Sequence, residues 1–88
     1  MRKNSTRNGH RDLAHLIAYN DQNRAVLVLR TSFSGYQQHV HPLINSSHFR
    51  SSRGIVRITG VLYDCEGGLA EQFENHYSPT GEYIEGKS

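Results

Sequence analysis

The chain has 88 residues with a single Cys, and its formal net charge is +2 at pH 7. This length suits one small domain with a thin core, and the lone Cys65 excludes both an internal disulfide and the paired-Cys zinc fingers. No stretch approaches the roughly 20 apolar residues of a membrane span, and the basic first residues have no apolar segment behind them. We therefore expect a protein of the reducing cytoplasm that does not engage a membrane.

Charge is distributed unevenly along the chain. Residues 1–57 carry nine Lys and Arg against two acids, whereas residues 58–88 carry one Lys against six acids. No carboxylate occurs between Asp21 and Asp64. Eight of the ten basic residues are Arg, whose planar guanidinium contacts phosphate or carboxylate through two hydrogen bonds. The central arginines are therefore expected to face solvent, an external anion or the acids of the C-terminal part.

The first half of the chain predicts an arm followed by a hairpin. Residues 1–11 are polar, basic and aperiodic, which predicts a flexible arm ahead of one β-rich domain spanning residues 12–88. The apolar residues of 13–19 fit a strand or a short helix capped by Asp12, and the turn-forming residues 20–23 favour the strand. The continuous apolar run at 25–29 is then the second strand of the hairpin, predicted to be buried on both faces.

The second half predicts further strands. Residues 36–41 are interpreted as a short extended piece that ends at Pro42, and residues 45–54 as a Ser-rich loop. The clearest strand is 55–63, in which Val56, Ile58 and Leu62 are expected on the core face and Ile55 on the opposite, mixed face.

Together these segments predict a mainly β fold, with a β-rich α+β fold as the alternative. We expect a small, twisted, mostly antiparallel sheet or a partly open barrel of about five strands. At most one short helix is expected, at residues 12–19 or 69–76. Two Tyr-x3-Gly segments, beginning at Tyr63 and Tyr77, predict turns with Gly in the left-handed conformation.

The leading functional hypothesis is a non-enzymatic protein that binds nucleic acid, RNA or DNA. Residues 48–54 combine two arginines, hydroxyls, an imidazole and an aromatic ring, which are groups that contact phosphate or stack on a base. Arg53 and Arg57 are expected to share one face of an extended segment, to which a neighbouring strand adds Arg30. The predicted binding residues are Arg24, Arg30, His48, Phe49, Arg50, Arg53 and Arg57.

A protein partner is the first alternative. Small phage and plasmid genes encode regulators and inhibitors that bind an acidic protein surface or a nucleic-acid-processing enzyme, and an Arg-rich domain of this size suits that role. Both a monomer and a homodimer are compatible with the sequence.

An endoribonuclease is the second alternative. Arg53-x3-Arg57-Ile58, followed by Asn75-His76-Tyr77, resembles over about 25 residues the end of microbial ribonucleases of the barnase type. The resemblance implies that Arg53 and Arg57 bind the scissile phosphate and that His76 is the general acid. The carboxylate base of that family lies upstream of the Arg pair, and this chain has no acid from Gln22 to Tyr63, so a His such as His48 would have to replace it.

Six histidines raise the question of a metal site. His39 and His41 are expected on the same side of a strand, with His48 seven residues on and Cys65 as a spare ligand. The His-x-His spacing is common and no recognised zinc pattern is present. We therefore expect neither a metal nor another cofactor.

Overall fold

The structure is a computed structural model that describes residues 13–63 and 68–87. Five of the described segments are strands, which are β1 Leu13–Asn20, β2 Ala25–Ser32, β3 Ile55–Tyr63, β4 Leu69–Tyr77 and β5 Tyr83–Lys87. They form one antiparallel sheet in the order β2-β1-β3-β4-β5. The sheet does not close into a barrel, and the predicted mainly β fold with five antiparallel strands is confirmed.

The helical residues that the structure describes all lie between β2 and β3. Helix α1 is a continuous run over residues 33–44, composed of Phe33–Gly35, the π-helical Tyr36–Val40 and His41–Ile44. Helix α2 is Ser47–Arg53. The extended piece predicted at 36–41 and the loop predicted at 45–54 are therefore wrong. Residues 13–19 and 69–76, where a helix was the alternative, are strands.

Helical spacing explains α1. Tyr36, Val40 and Ile44 recur every four residues and are all buried, so they form one apolar stripe facing the sheet. Pro42 lies at the start of the last helical piece, where a missing backbone N–H disrupts little. The π-helical turn Tyr36–Val40 lies between Phe33–Gly35 and His41–Ile44, so the three pieces form one continuous helical run.

Capping explains α2. The hydroxyl of Ser46 accepts a hydrogen bond from the backbone N–H of Phe49, and Gly54 ends the helix in the left-handed conformation with a φ of 67°. The short, polar Ser-rich segment therefore forms a helix because it has both a start signal and a stop signal.

The core lies between the two helices and one face of the sheet. Alternate residues of β1 and β3 are buried there, as the two-residue period of a strand requires. Ile58 and Leu62 are buried as predicted, and Val56 is half-buried. Ile55, expected on the opposite face, is fully buried because the register with β1 shifts beside it. The core residues are Ala14, Leu16, Ala18, Tyr36, Val40, Ile44, Phe49, Ile55, Ile58, Leu62 and Tyr77.

Strand β2 lies at the edge of the sheet, so the prediction that it is buried on both faces is wrong. Leu27 and Leu29 pack against the core, whereas Val26 and Val28 are 42% and 59% exposed. A continuous apolar run is typical of a strand covered on both faces, but here no described element covers the second face.

Several predictions fall outside the residues that the structure describes. These are the arm at residues 1–11, the Asp12 cap, Cys65 and the turn that follows Tyr63. The second predicted Gly turn is confirmed, since Gly81 has a φ of +91°. Within the described chain, no helix is long and apolar enough to cross a membrane.

Candidate nucleic-acid interface

Within the residues that the structure describes, one face of the sheet carries no helix, and it is called the open face. Its side chains alternate with the core residues on each strand, and the register between strands shows which of them are neighbours. The open face consists of Leu13, His15, Ile17, Tyr19, Val26, Val28, Arg30, Ser32, Arg57, Thr59, Val61, Tyr63, Gln72, Glu74, His76, Glu85 and Lys87.

The half of the open face on β1, β2 and β3 is basic and is called the basic half. The three strands and the β1–β2 turn carry three arginines, Arg24, Arg30 and Arg57, and a single carboxylate, Asp21. Arg30 lies opposite His15, and Arg57 lies opposite Tyr19. Neither Arg30 nor Arg57 contacts a carboxylate of the described chain. Their positive charge is therefore free to act on an external anion.

Arg57 and Tyr19 form a stacked pair on this half. The guanidinium carbon of Arg57 lies 3.9 Å from the centroid of the Tyr19 ring. Arg57 also donates a hydrogen bond to the side-chain oxygen of Asn23 in the β1–β2 turn. These two contacts hold the guanidinium over the sheet, where it presents a flat cationic surface.

The β1–β2 turn is fixed by its own side chains. The Asn20 side-chain oxygen accepts hydrogen bonds from the backbone N–H of Gln22 at 3.0 Å and of Arg24 at 2.9 Å. Asn23 adopts a positive φ of 63°, which Asn tolerates better than most residues. Arg24 is exposed at the end of this turn and extends the basic half along β2.

The half on β4 and β5 is acidic and is called the acidic half. His76 Nε2 lies 2.5 Å from Glu74 Oε2, and within residues 13–63 and 68–87 this is the one close contact between a basic and an acidic side chain. Glu85 lies opposite His76, and Lys87 lies opposite Glu74. Beside them a shallow depression of about 300 Å³ is lined partly by Thr59, Val61, Gln72, Glu74 and Lys87.

The structure separates the predicted binding residues into two groups. Arg24, Arg30 and Arg57 belong to the basic half or its turn, whereas His48, Phe49, Arg50 and Arg53 belong to α2 on the covered side of the sheet. Arg53 and Arg57 were expected to share a strand, but Gly54 separates a helix from a strand between them, so they do not.

Two of the predicted binding residues are buried. Phe49 is 8% exposed in the core, and Arg53 lies over its ring at 4.0 Å. Arg50 is 5% exposed and donates hydrogen bonds to backbone carbonyls of Gly81 and Ile44. Both side chains hold the fold together and are not available to a large ligand.

The histidines do not gather around a metal position. His39, His41 and His48 are exposed, and the His41 ring contacts the ring of Tyr36 and the side-chain amide of Asn45. Within the described ranges no three His, Cys, Asp or Glu side chains lie close enough together to hold a metal ion.

The ribonuclease residues are partly brought together. Arg57 and His76 are direct cross-strand neighbours, whereas Arg53 lies on α2. Sequence reasoning missed Glu74, the acid that contacts His76. The sequence signal was the spacing of Glu74 and His76. They lie two residues apart on a strand, which places both side chains on the same face.

Sequence and structure comparisons give no relative from which a function could be transferred. No family model matches the chain, and no curated protein or solved structure matches it.

Proposed function

We propose that the protein is a non-enzymatic nucleic-acid-binding protein whose ligand lies across the basic half of the open face. The observation that carries this proposal is the Arg57–Tyr19 stack on an uncovered sheet, flanked by Arg24 and Arg30, with no carboxylate contacting these arginines in the described chain. Arginine contacts phosphates, and aromatic or guanidinium planes stack on bases.

A single strand suits this surface better than a duplex. The open face is a twisted sheet that can lie along a strand whose bases are exposed, as other sheet-based RNA-binding domains do. A second aromatic residue, Tyr63, lies on the same face at the far end of β3. The acidic half repels phosphate, so it confines the ligand to β1, β2 and β3.

Fluorescence anisotropy with labelled oligonucleotides tests the proposal. Single-stranded RNA, single-stranded DNA and a duplex of matched length are titrated with protein over a series of salt concentrations. We expect the single strands to bind more tightly and the logarithm of affinity to fall linearly with the logarithm of salt concentration. Absence of binding at the lowest salt would refute the proposal and leave the protein-binding regulator as the leading function.

A second candidate function is endoribonuclease activity at the boundary between the two halves, where Arg57 on β3 lies beside His76 on β4. The contact between His76 and Glu74, beside Arg57 on the next strand, supports it. In such a reaction a base removes the proton of the RNA 2′-hydroxyl, the 2′-oxygen attacks phosphorus, and an acid protonates the leaving 5′-oxygen. Glu74 and His76 supply the two groups, and Arg57 contacts the phosphate.

Incubation with RNA separates the two functions. An enzyme would cleave a labelled RNA strand, leave the all-DNA strand of the same sequence intact, and lose this activity in His76→Ala and in Glu74→Gln. Intact RNA after prolonged incubation with protein that binds it would exclude the enzyme and retain the binding protein.

A further inference from the structure

The two edge strands carry most of the exposed apolar surface. Five large apolar side chains in the described ranges are between 42% and 62% exposed, and four of them lie on an edge strand. An edge strand also presents backbone N–H and C=O groups that no neighbouring strand satisfies. The four residues are Val26 and Val28 on β2, and Tyr83 and Ile84 on β5.

The two edges are opposite in charge. Arg24 and Arg30 lie along the β2 edge, and the β1–β2 turn adds only Asp21. At the other side of the sheet, β4, β5 and the turn between them carry four Glu residues and one Lys. The sheet is therefore basic at one edge and acidic at the other.

We propose that the protein associates head to tail with a second copy of itself, the β2 edge of one copy pairing with the β5 edge of the next. Charge complementarity selects this pairing. A symmetric β2–β2 contact would bring two basic edges together and a β5–β5 contact two acidic edges, whereas β2 against β5 joins opposite charges. The contact also joins the two strands that carry the four exposed apolar side chains.

The topology permits this contact without turning the sheet over. Four antiparallel pairings separate β2 from β5, so the two strands run in the same direction. A second copy, translated sideways without rotation, can therefore pair its β5 with β2 of the first copy as parallel strands. The open faces of both copies then lie on the same side of the extended sheet. Arg30 and Glu85 both lie on that face, and one register of the parallel pairing places them side by side.

The length and composition of the two edge strands indicate how strong the contact is. β2 has eight residues with neither Pro nor Gly, so its backbone can accept a partner along its whole length. β5 has five residues and ends in Gly86 and Lys87, which shortens the paired segment. Parallel pairing is slightly less stable than antiparallel pairing, so the association is weak, reversible and sensitive to salt. A head-to-tail contact of this kind does not close on two copies, so chains of copies grow with concentration.

Sedimentation velocity on nuclease-treated protein tests the association without nucleic acid. We expect the mean mass to rise with protein concentration at low salt and to return to the monomer value at high salt. A monomer at every concentration and salt would overturn the proposal. Because no nucleic acid is present, this outcome is separate from failure of the proposed function.

Charge reversal identifies the contact. Arg30→Glu and Glu85→Arg each place like charges at the contact, and each alone is expected to weaken self-association by about fivefold or more. An equimolar mixture of the two variants, and the double variant, should both recover it. Both side chains are exposed, and circular dichroism confirms that each variant is folded.

The remaining outcomes count against head-to-tail pairing. If Arg30→Glu weakens association while Glu85→Arg leaves it unchanged, β5 takes no part and the proposal fails. Failure of the mixture to recover association would likewise show that Arg30 and Glu85 do not meet.

Discussion

Arg50 donates two hydrogen bonds to the carbonyl of Gly81, which lies 31 residues further along the chain, and a third to the carbonyl of Ile44. Its guanidinium carbon also lies 4.1 Å from the centroid of the Tyr77 ring. One side chain thus connects α2 to α1, to β4 and to the turn before β5. Arg50, which is buried, therefore has a structural role. Because its charge is not on the surface, the surface is less basic than the composition indicates.

Replacing Arg50 should strongly destabilise the fold. Arg50→Met leaves the carbonyls of Gly81 and Ile44 without their donor, and buried groups that lose a charged partner cost about 2–4 kcal/mol. Urea denaturation measures this change in the free energy of unfolding. Arg53→Met is the matched control on the same helix, because Arg53 is exposed, and it should change stability by less than about 1 kcal/mol. Equal effects of the two substitutions would contradict the structural role of Arg50.

Gly81 should tolerate a side chain less well than Gly54. Both have a positive φ, of +91° and +67°, so Ala at either position costs about 1–2 kcal/mol of backbone strain. A methyl group at Gly81 would also overlap the backbone of Ser47, whereas the space around Gly54 is open. Gly81→Ala should therefore lower the urea midpoint clearly more than Gly54→Ala, and a larger effect at Gly54 would contradict this packing.

The strands could be predicted from the sequence because their signal is local. Alternation at 55–63 and the turn at 20–23 are short-range patterns, and both correspond to observed elements. The helical spacing of Tyr36, Val40 and Ile44 was equally local, but Pro42 and the β-branched residues obscured it. The Ser46 and Gly54 caps of α2 were likewise present and were interpreted as loop residues.

The candidate site was only partly predictable, because the amino-acid composition of the chain does not specify which arginines are exposed. Arg57 and Arg50 have the same chemistry, and their different roles depend on partners distant in sequence. Arg57 donates a hydrogen bond to Asn23, 34 residues away, on the open face. Arg50 instead donates to the carbonyl of Gly81 on the covered side of the sheet. Such pairings depend on strand register and on the packing of the helices, which a single sequence does not encode locally.

Nucleic-acid affinity should depend on the arginines of the open face and not on those of α2. Arg30→Gln and Arg57→Gln each remove one phosphate-contacting group, so each should weaken binding and reduce the slope of the salt dependence by about one. Arg53→Gln removes the same charge from the covered side and is the matched control. Anisotropy titrations of the three variants measure the effect, and an equal loss from Arg53→Gln would show that binding follows net charge alone.

Stability should fall in alkaline solution because two tyrosines are buried. Burial raises the pKa of the Tyr36 hydroxyl above 10.0, and the charges of Glu71 and Tyr77 act in the same direction. Burial likewise raises the pKa of Tyr77, although a hydrogen bond from Asn75 and the charge of Arg50 oppose it.

The direction of the effect follows from proton binding in the two states. Below pH 10 both states keep the phenolic protons, and the contribution to stability is fully present. As the pH rises above the ordinary tyrosine value, the unfolded chain releases these protons first, so unfolding becomes progressively more favourable until the folded-state pKa is passed. Urea midpoints measured from neutral pH upward should decline over this window. Tyr36→Phe removes one of the two ionisable hydroxyls, so its decline should be shallower than that of the wild type, and an identical decline would show that Tyr36 ionises alike in both states.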